Sequence, residues 1–287
     1  MAEPLIQDVS DTAFMVASFR AIETARPDSL FADPLAERLA GEHGKTIVAN
    51  MPGSFVGGWT VVMRTVIIDN FIHAVLAEGV DTVLNPGAGL DTRPYRMALP
   101  PHLRWIEVDY PRVIDLKDSA LSGEIPSCRL ERVKLDLALR TARQKLFAEV
   151  ASRAGKILVL TEGVVPYLSV PEVASLADDL RQTEKVRFWI VDYFSPEALR
   201  FRERQAHARH MRNAPFRFDP KDWFGFFSEH GWGAREIRYI ADEAERLKRP
   251  IPWPALLKLW MMIKMAFTPG ARRSFRTFAA YVLLEPS

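Results

Sequence analysis

The central part of the chain alternates short apolar runs with longer segments of helical pattern. Each apolar run is bounded by polar or glycine-rich turns, which predicts strands separated by helices. Residues 157–160 are apolar at every position, as in a strand with both faces covered. The alternation predicts an α/β fold with a mostly parallel sheet and helices on both faces. The predicted strands are 82–84, 105–108, 130–137, 157–160 and 186–191, and the predicted helices are 112–119, 141–153 and 171–183.

The first 60 residues have a helical pattern without strands. We predict a helix over residues 13–23, capped by Asp11-Thr12, and a loop over residues 51–58, which hold one proline and three glycines. A longer apolar helix is predicted over residues 61–76. Residues 1–60 are therefore expected to form an N-terminal helical cap on the sheet.

Near the other end of the chain, two strand-like segments are separated by a long excursion. Residues 235–240 and 277–284 have this strand pattern, and strands joined by a long connection can pair antiparallel. We expect residues 241–276 between them to form a lid insertion over the sheet edge. No change of composition separates these parts, so the prediction is a single domain over residues 1–287.

Composition and charge narrow the class of protein. The 287 residues carry 38 Lys and Arg against 36 Asp and Glu, and a net charge of +2 is too small to indicate nucleic-acid binding. The single cysteine, Cys128, excludes an intrachain disulfide, and no His and Cys spacing predicts a metal site. No signal-peptide pattern and no run of 18 apolar residues is present. We therefore expect a cytoplasmic protein without stable membrane insertion.

The first predicted strand runs into a glycine turn, Gly87-Ala88-Gly89. Glycine in such a turn lets the backbone approach a ligand closely, because no Cβ is in the way. The position of a third glycine in dinucleotide-binding turns holds Thr92, and Asp91 would repel a pyrophosphate. The turn therefore favours a nucleoside ligand with positive charge over the dinucleotide of an oxidoreductase, while a purely structural turn remains the alternative.

Acidic residues follow three further predicted strands. Asp109 lies 20 residues after Gly89, where an acid can accept hydrogen bonds from both ribose hydroxyls. We expect the Asp136 carboxylate to accept a hydrogen bond from an adenine amino group and Leu137 to pack on the base. Glu162 ends the fourth strand. Because parallel strands end at one edge of the sheet, we expect these residues to line one site, although each alone could be a solvated carboxylate.

These residues also carry a family resemblance. The sequence Leu-Asn-Pro-Gly-Ala-Gly-Leu-Asp-Thr-Arg at 84–93, with the acids above, resembles the leucine carboxyl methyltransferase family. More narrowly, it is similar to the bacterial S-adenosylmethionine-dependent branch, which includes polyketide O-methyltransferases. The resemblance covers roughly residues 10–200 and takes in Arg20 and the pair Arg64-Thr65. It implies a doubly wound, Rossmann-like class I methyltransferase with an antiparallel C-terminal strand.

The resemblance implies roles for individual residues toward S-adenosyl-L-methionine. Arg64 corresponds to the arginine that binds the methionine carboxylate, with Arg20 as a second contact nearby, and Glu162 corresponds to the acid near the methionine amino group. Asp109 corresponds to the ribose-binding acid. The implied cofactor-binding residues are Arg20, Arg64, Gly87, Ala88, Gly89, Asp109, Asp136, Leu137 and Glu162.

For the acceptor, the resemblance favours a small molecule methylated on a carboxylate or an acidic hydroxyl. A carboxylate is ionised at neutral pH and needs no base, whereas a hydroxyl usually does. Candidate catalytic groups are Tyr193, His207 and His210, and Tyr167 is a candidate for the acceptor pocket. The alternatives are a protein C-terminal carboxyl methyltransferase and a non-catalytic nucleotide-binding module. The oligomeric state is left open.

Two segments after residue 200 have open interpretations. A basic run is either a clamp for an anionic substrate, a nucleic-acid contact or a solvated helix face; it consists of Arg200, Arg202, Arg204, Arg209 and Arg212. Residues 253–267 form either an amphipathic lid helix packed on the domain or a contact for a membrane or a lipid-like acceptor. The aromatic residues 223–232 either form apolar walls of the acceptor pocket or pack the lid onto the sheet.

Overall fold

A computed structural model describes residues 5–204, 212–259 and 267–287 of the chain. Its centre is a seven-stranded sheet in the order β3-β2-β1-β4-β5-β7-β6, with β3 and β6 at the two edges. The strands are β1 Thr82–Pro86, β2 Arg104–Asp109, β3 Arg129–Lys134, β4 Ile157–Leu160, β5 Val186–Phe194, β6 Trp232–Tyr239 and β7 Ala279–Pro286.

Strands β1 to β5 are parallel, and the last two strands are antiparallel. β7 pairs antiparallel with both β5 and β6, from Trp189 opposite Leu284 and from Trp232 opposite Pro286. The predicted mixed sheet with an antiparallel C-terminal strand is therefore confirmed. β3 ends at Lys134 rather than at residue 137, because the Asp136 carboxylate accepts a hydrogen bond from the Ala138 amide and turns the chain.

Helices cover both faces of the sheet. Successive β1 residues belong to the hydrophobic cores on opposite faces of the sheet: Val83 packs with α3, and Leu84 packs with α6 and α7. This burial on both faces is why the strands read as continuous apolar runs. The helices are α1 Val9–Thr24, α2 Ala36–Asn50, α3 Ser54–Ala77, α4 Arg93–Arg96, α5 Pro111–Ala120, α6 Arg140–Ser152, α7 Val170–Arg181, α8 Pro196–Arg204, α9 Trp223–Glu229, α10 Ile240–Arg246 and α11 Ala271–Arg276.

Two predictions for the N-terminal helices are wrong in detail. α1 begins earlier than predicted, because its N-cap is Asp8, whose carboxylate accepts from the Ser10 amide. α3 begins at Ser54, so most of the predicted loop over residues 51–58 is helical. The glycines there allow close packing of α3 on α1: a Cβ at Gly58 would lie 2.8 Å from Cδ1 of Phe19.

α3 is long and apolar enough to cross a membrane by length and composition alone. Half of its most apolar window is buried in the fold, including Ile67, Ile68 and Phe71, which have no solvent exposure. We therefore interpret α3 as a core helix. The cytoplasmic location stays a prediction.

The C-terminal excursion after β6 is tied to the N-terminal helices. Arg249 forms ion pairs with Glu23, at 2.6 Å, and with Asp28, at 2.7 Å. The indole nitrogen of Trp59 on α3 donates to the backbone oxygen of Arg249 at 2.8 Å. These contacts join the two covers of the site, which are the N-terminal helices α1 and α3 and the C-terminal excursion after β6.

Candidate active site

A cavity of about 1800 Å³ lies where the parallel strands end, beneath α1, α3 and the C-terminal excursion. A site for one drug-sized ligand usually measures roughly 300–1,000 Å³, so this cavity has room for two molecules of that size. The structure brings all nine predicted cofactor-binding residues to this cavity. They are Arg20, Arg64, Gly87, Ala88, Gly89, Asp109, Asp136, Leu137 and Glu162.

The glycine turn is held against the end of β2. Gly87 and Gly89 have φ angles of +71° and +48°, in the left-handed region that favours glycine. The amides of Gly89 and Tyr110 each donate to the Asp109 carboxylate at 2.7 Å. A Cβ at Gly87 would lie 2.5 Å from the Val164 side chain, so this glycine is also required by the packing of the protein itself.

Asp109 stands at the end of β2 with its carboxylate largely enclosed. Burial raises the pKa of Asp109, while the amide donors of Gly89 and Tyr110 oppose that rise. Each carboxylate oxygen keeps a lone pair for a further donor, as two vicinal hydroxyls would require. Asp136 and Leu137 line the cavity beyond it, in the turn after β3. This arrangement fits the ribose and base of a nucleoside.

Arg64 on α3 and Glu162 after β4 form an ion pair in the cavity wall. The Nε of Arg64 lies 2.6 Å from Oε1 of Glu162, and Nη1 of Arg93 lies 2.6 Å from Oε2. Burial would raise the pKa of Glu162, but Arg64 and Arg93 outweigh it, so the pKa is lower than usual. The carboxylate is therefore ionised, and can accept from a ligand ammonium group.

A buried network behind Glu162 was not predicted from the sequence. Arg93 contacts Asp91 at 3.0 Å and Asp69 at 2.7 Å, and Asp69 also pairs with Arg96. Burial opposes ionisation of Asp91, but Arg93 outweighs it and holds the pKa of Asp91 well below its usual value. Since Arg93 neutralises Asp91, Asp91 does not by itself select a cationic ligand.

Arg20 lines the cavity but is mostly engaged with the protein. Its Nε donates to Asp33 at 2.7 Å, and its Nη2 donates to the backbone oxygen of Leu90 at 2.6 Å. Thr92 also donates to the Asp33 carboxylate. Arg20 thus fixes the segment after the glycine turn, and its contact with the cofactor stays a prediction.

The candidate catalytic and acceptor-pocket residues do not all lie at the cavity. Tyr193 does not line the cavity; its ring packs on Trp223 at 5.5 Å and on Phe224 at 5.4 Å, because alternate β5 residues point to the opposite face. His207 and His210 lie outside the described residues. Tyr167 does line the cavity. The aromatic residues of segment 223–232 that are most buried, Trp223, Phe226, Phe227 and Trp232, pack on the sheet.

The residue next to Tyr193, Asp192, is a cavity residue that the sequence analysis missed. It is 4% exposed, and its carboxylate accepts from the Gly163 amide at 2.9 Å. Burial raises the pKa of Asp192 to about 6, against the attraction of Arg64. Its position at the end of β5, matching Glu162 after β4, is the signal that could have identified it.

The strand order, the glycine turn and the acids at the strand ends together define a class I methyltransferase. A family model described as leucine carboxyl methyltransferase matches residues 13–181, more than half of the sequence, and the chain belongs to this family. S-adenosyl-L-methionine is therefore the methyl donor of this enzyme, and the carboxylates, arginines and glycine turn of the cavity fit its charged and polar groups.

Similar proteins agree with this assignment. A curated relative from Parafrankia sp. (strain EAN1pec) is 31% identical over 267 residues, covering 85% of this chain and 83% of the relative. One from Frankia alni is 27% identical over 263 residues, covering 85% and 90%. Both are named as candidate S-adenosyl-L-methionine-dependent methyltransferases.

Solved structures share the fold at low sequence identity. A candidate methyltransferase from Thermobifida fusca YX has a TM-score of 0.56 at 15% identity, covering 99% of this chain and 96% of that one. A DUF574 family protein from Streptomyces avermitilis has a TM-score of 0.54 at 14% identity, covering 96% and 97%. At such identities the likeness concerns the fold alone.

Proposed function

We propose that this enzyme is an O-methyltransferase that acts on a carboxylate or an acidic hydroxyl of a small molecule. In this proposal Asp109 binds the ribose, Asp136 and Leu137 bind the adenine, and Arg64 and Glu162 bind the methionine end of the cofactor. The remaining part of the cavity then holds the acceptor.

The observation that carries the proposal is the aromatic part of the cavity. It is bounded by α1 and α3 on one side and by the C-terminal excursion on the other. Because these two parts of the chain cover the apolar walls, the cavity favours a compact acceptor over the C-terminal tail of a protein. A protein tail is the second candidate for the acceptor. Aromatic residues of this lining include Trp59, Phe194, Phe216, Trp253 and Phe275.

Methyl transfer requires little from the protein beyond positioning the cofactor and the acceptor. When bound, S-adenosyl-L-methionine supplies a methyl group on a sulfonium, whose in-line displacement leaves a neutral thioether. The apolar walls exclude water, which strengthens the electrostatic interactions inside the cavity. A carboxylate acceptor arrives ionised. For a hydroxyl acceptor, we assign the role of proton acceptor to Asp192, a cavity carboxylate whose pKa is raised to about 6.

A labelled-methyl transfer screen tests the proposal. Purified enzyme with methyl-labelled S-adenosyl-L-methionine is offered small carboxylic acids, phenols and peptides with a free C-terminus. We expect label in a small-molecule product, as a base-labile ester or a base-stable aryl ether. Asp109→Asn is the matched control, which should lower cofactor affinity by roughly 1.5–3 kcal/mol of lost hydrogen bonding.

The products separate the candidates. A carboxylate acceptor should react at the same rate in Asp192→Asn, whereas a hydroxyl acceptor should lose most of its rate in that variant, and its wild-type rate should rise through pH 6. Label on nitrogen or carbon, or in peptides only, would contradict the proposal.

A further inference from the structure

Arg202 on α8 lines the aromatic part of the cavity, and its guanidinium lies over the ring of a phenylalanine. Its guanidinium carbon is 3.8 Å from the ring centroid of Phe216 and 6.0 Å from that of Phe194. The ring of Phe216 is held in turn by Tyr167, with centroids 5.1 Å apart. Stacking occupies the face of a guanidinium and leaves its edge, which carries the N–H donors, free for a ligand.

The charge of Arg202 has no partner within the part of the chain that the structure describes. None of the ion pairs or side-chain hydrogen bonds found there involves Arg202. Other arginines that line the cavity are paired, as Arg64 is with Glu162 and Arg93 with Asp91. Burial lowers the pKa of the Arg202 guanidinium, against a favourable effect of Tyr167 and Tyr281. A desolvated cation without an anion is unfavourable, and an anionic ligand would remove that cost.

We propose that Arg202, stacked on Phe216, forms the subsite that binds an anionic group of the acceptor. The inference rests on the proposed function and names the class of acceptor: an apolar, flat molecule with a carboxylate or a comparable planar anion. Arg202 binds this group through two parallel N–H donors, which suits a carboxylate better than a neutral amide.

Arg202 differs from the predicted cofactor residue Arg64 in its partners. Arg64 is paired with Glu162, whereas Arg202 lies over the ring of Phe216 and is near that of Phe194. Arg202 is thus a specificity-determining residue for the acceptor, and its loss should leave cofactor affinity unchanged. This expectation distinguishes Arg202 from a second ligand of the methionine carboxylate.

The test uses acceptor-like probes that differ only in charge. The full chain is saturated with S-adenosylhomocysteine, and the dissociation constants of benzoate, trans-cinnamate and their amides are measured by calorimetry. Wild type should bind at least one acid about tenfold or more tightly than its amide, the scale of a hydrogen bond to a charged group. In Arg202→Gln the acid and its amide should bind equally, and Arg202→Lys should restore part of the preference.

Arg200→Gln is the matched control. Arg200 lies on the same helix and also lines the cavity, but it is exposed and its charge is already paired with Glu197 at 3.0 Å, so its loss removes a cavity charge without touching the contact between Arg202 and Phe216. Its preference for the acids should equal that of wild type.

The outcomes separate this inference from the function on which it rests. If wild type fails to bind S-adenosylhomocysteine, the proposed function fails. If it binds S-adenosylhomocysteine but shows no preference for any acid over its amide, the subsite proposal is wrong. An equal loss of preference in Arg200→Gln, or weaker S-adenosylhomocysteine binding in Arg202→Gln, would also overturn it.

Discussion

Asp192 is a buried carboxyl group whose ionisation works against folding. Its folded-state pKa, about 6, is higher than the value of 3.8 for an unperturbed aspartate. Well below pH 4 the group is protonated in both states and costs nothing. As the pH rises from 4 to 6, the unfolded chain releases the proton first, so the free energy of unfolding falls. Above pH 6 the loss is complete and constant.

We therefore predict that Asp192→Asn stabilises the ligand-free protein at pH 8. The amide keeps an acceptor for the Gly163 amide and removes the buried charge, so the free energy of unfolding should rise by roughly 1–3 kcal/mol. The gain should shrink as the pH is lowered from 6 towards 4. Urea unfolding of wild type and variant at pH 8 and pH 5 measures this. A variant that is less stable than wild type at pH 8 would show that the attraction between Asp192 and Arg64 dominates.

The acids that were predicted from the strand pattern share one property. Asp109 and Glu162 follow strands of clear apolar pattern, and the ends of parallel strands must meet at one edge of the sheet. The sequence offered Arg202 only as one member of a basic run with three interpretations, because its proposed role depends on the contact with Phe216, 14 positions later in the chain. Arg93 stood in the family motif, but only the folded chain brings Asp69 beside it.

At the scale of elements, the glycine content of residues 51–58 led to an incorrect loop. Glycine lowers helix propensity, so a local pattern favours a turn there. In the folded protein, helix packing outweighs that preference, since Gly58 lets the Phe19 ring of α1 lie directly against α3. Packing between helices distant in sequence cannot be read from a local pattern. The strands, each defined by its own apolar run, were predicted with small errors at their ends.

The neighbouring glycines of α3 should respond differently to alanine. A Cβ at Gly57 would lie 3.6 Å from the Phe19 ring, an ordinary contact, so Gly57→Ala should stabilise the protein by roughly 0.5–1 kcal/mol of helix propensity. A Cβ at Gly58 would lie 2.8 Å from the ring, so Gly58→Ala should be less stable than Gly57→Ala by about 1–2 kcal/mol. Urea unfolding of both variants measures the difference. Equal stabilities would mean that Phe19 moves aside freely.

At the scale of the whole molecule, the site is closed by two parts of the chain that are far apart in sequence. Arg249 joins them through Glu23 and Asp28, and both Arg249 and Glu23 are largely buried. The two covers are therefore expected to open together, because separating one from the other breaks a largely buried ion pair. Acceptor entry and product release would then share one motion.

Arg249→Met should loosen these covers without weakening the sheet. We expect amide hydrogen exchange in residues 247–259 and in α1 to become roughly tenfold faster, while exchange in β1 and β4 is unchanged. Arg246→Met is the control, since Arg246 is exposed and pairs with Glu243 on its own helix. Equal exchange in the two variants would show that Arg249 does not hold the covers together.

The two edges of the sheet have a consequence for association between molecules. A strand at an open edge presents unpaired backbone groups to which a strand of another molecule can add. Here β3 carries Arg129, Glu131 and Lys134 as exposed charges, and β6 carries Arg235 and Glu236 beside a shift in its pairing with β7. If the edge strand of a second molecule paired with one of these strands, it would meet the exposed charges and, at β6, an irregular backbone. Fibre-like stacking through either edge is thereby disfavoured.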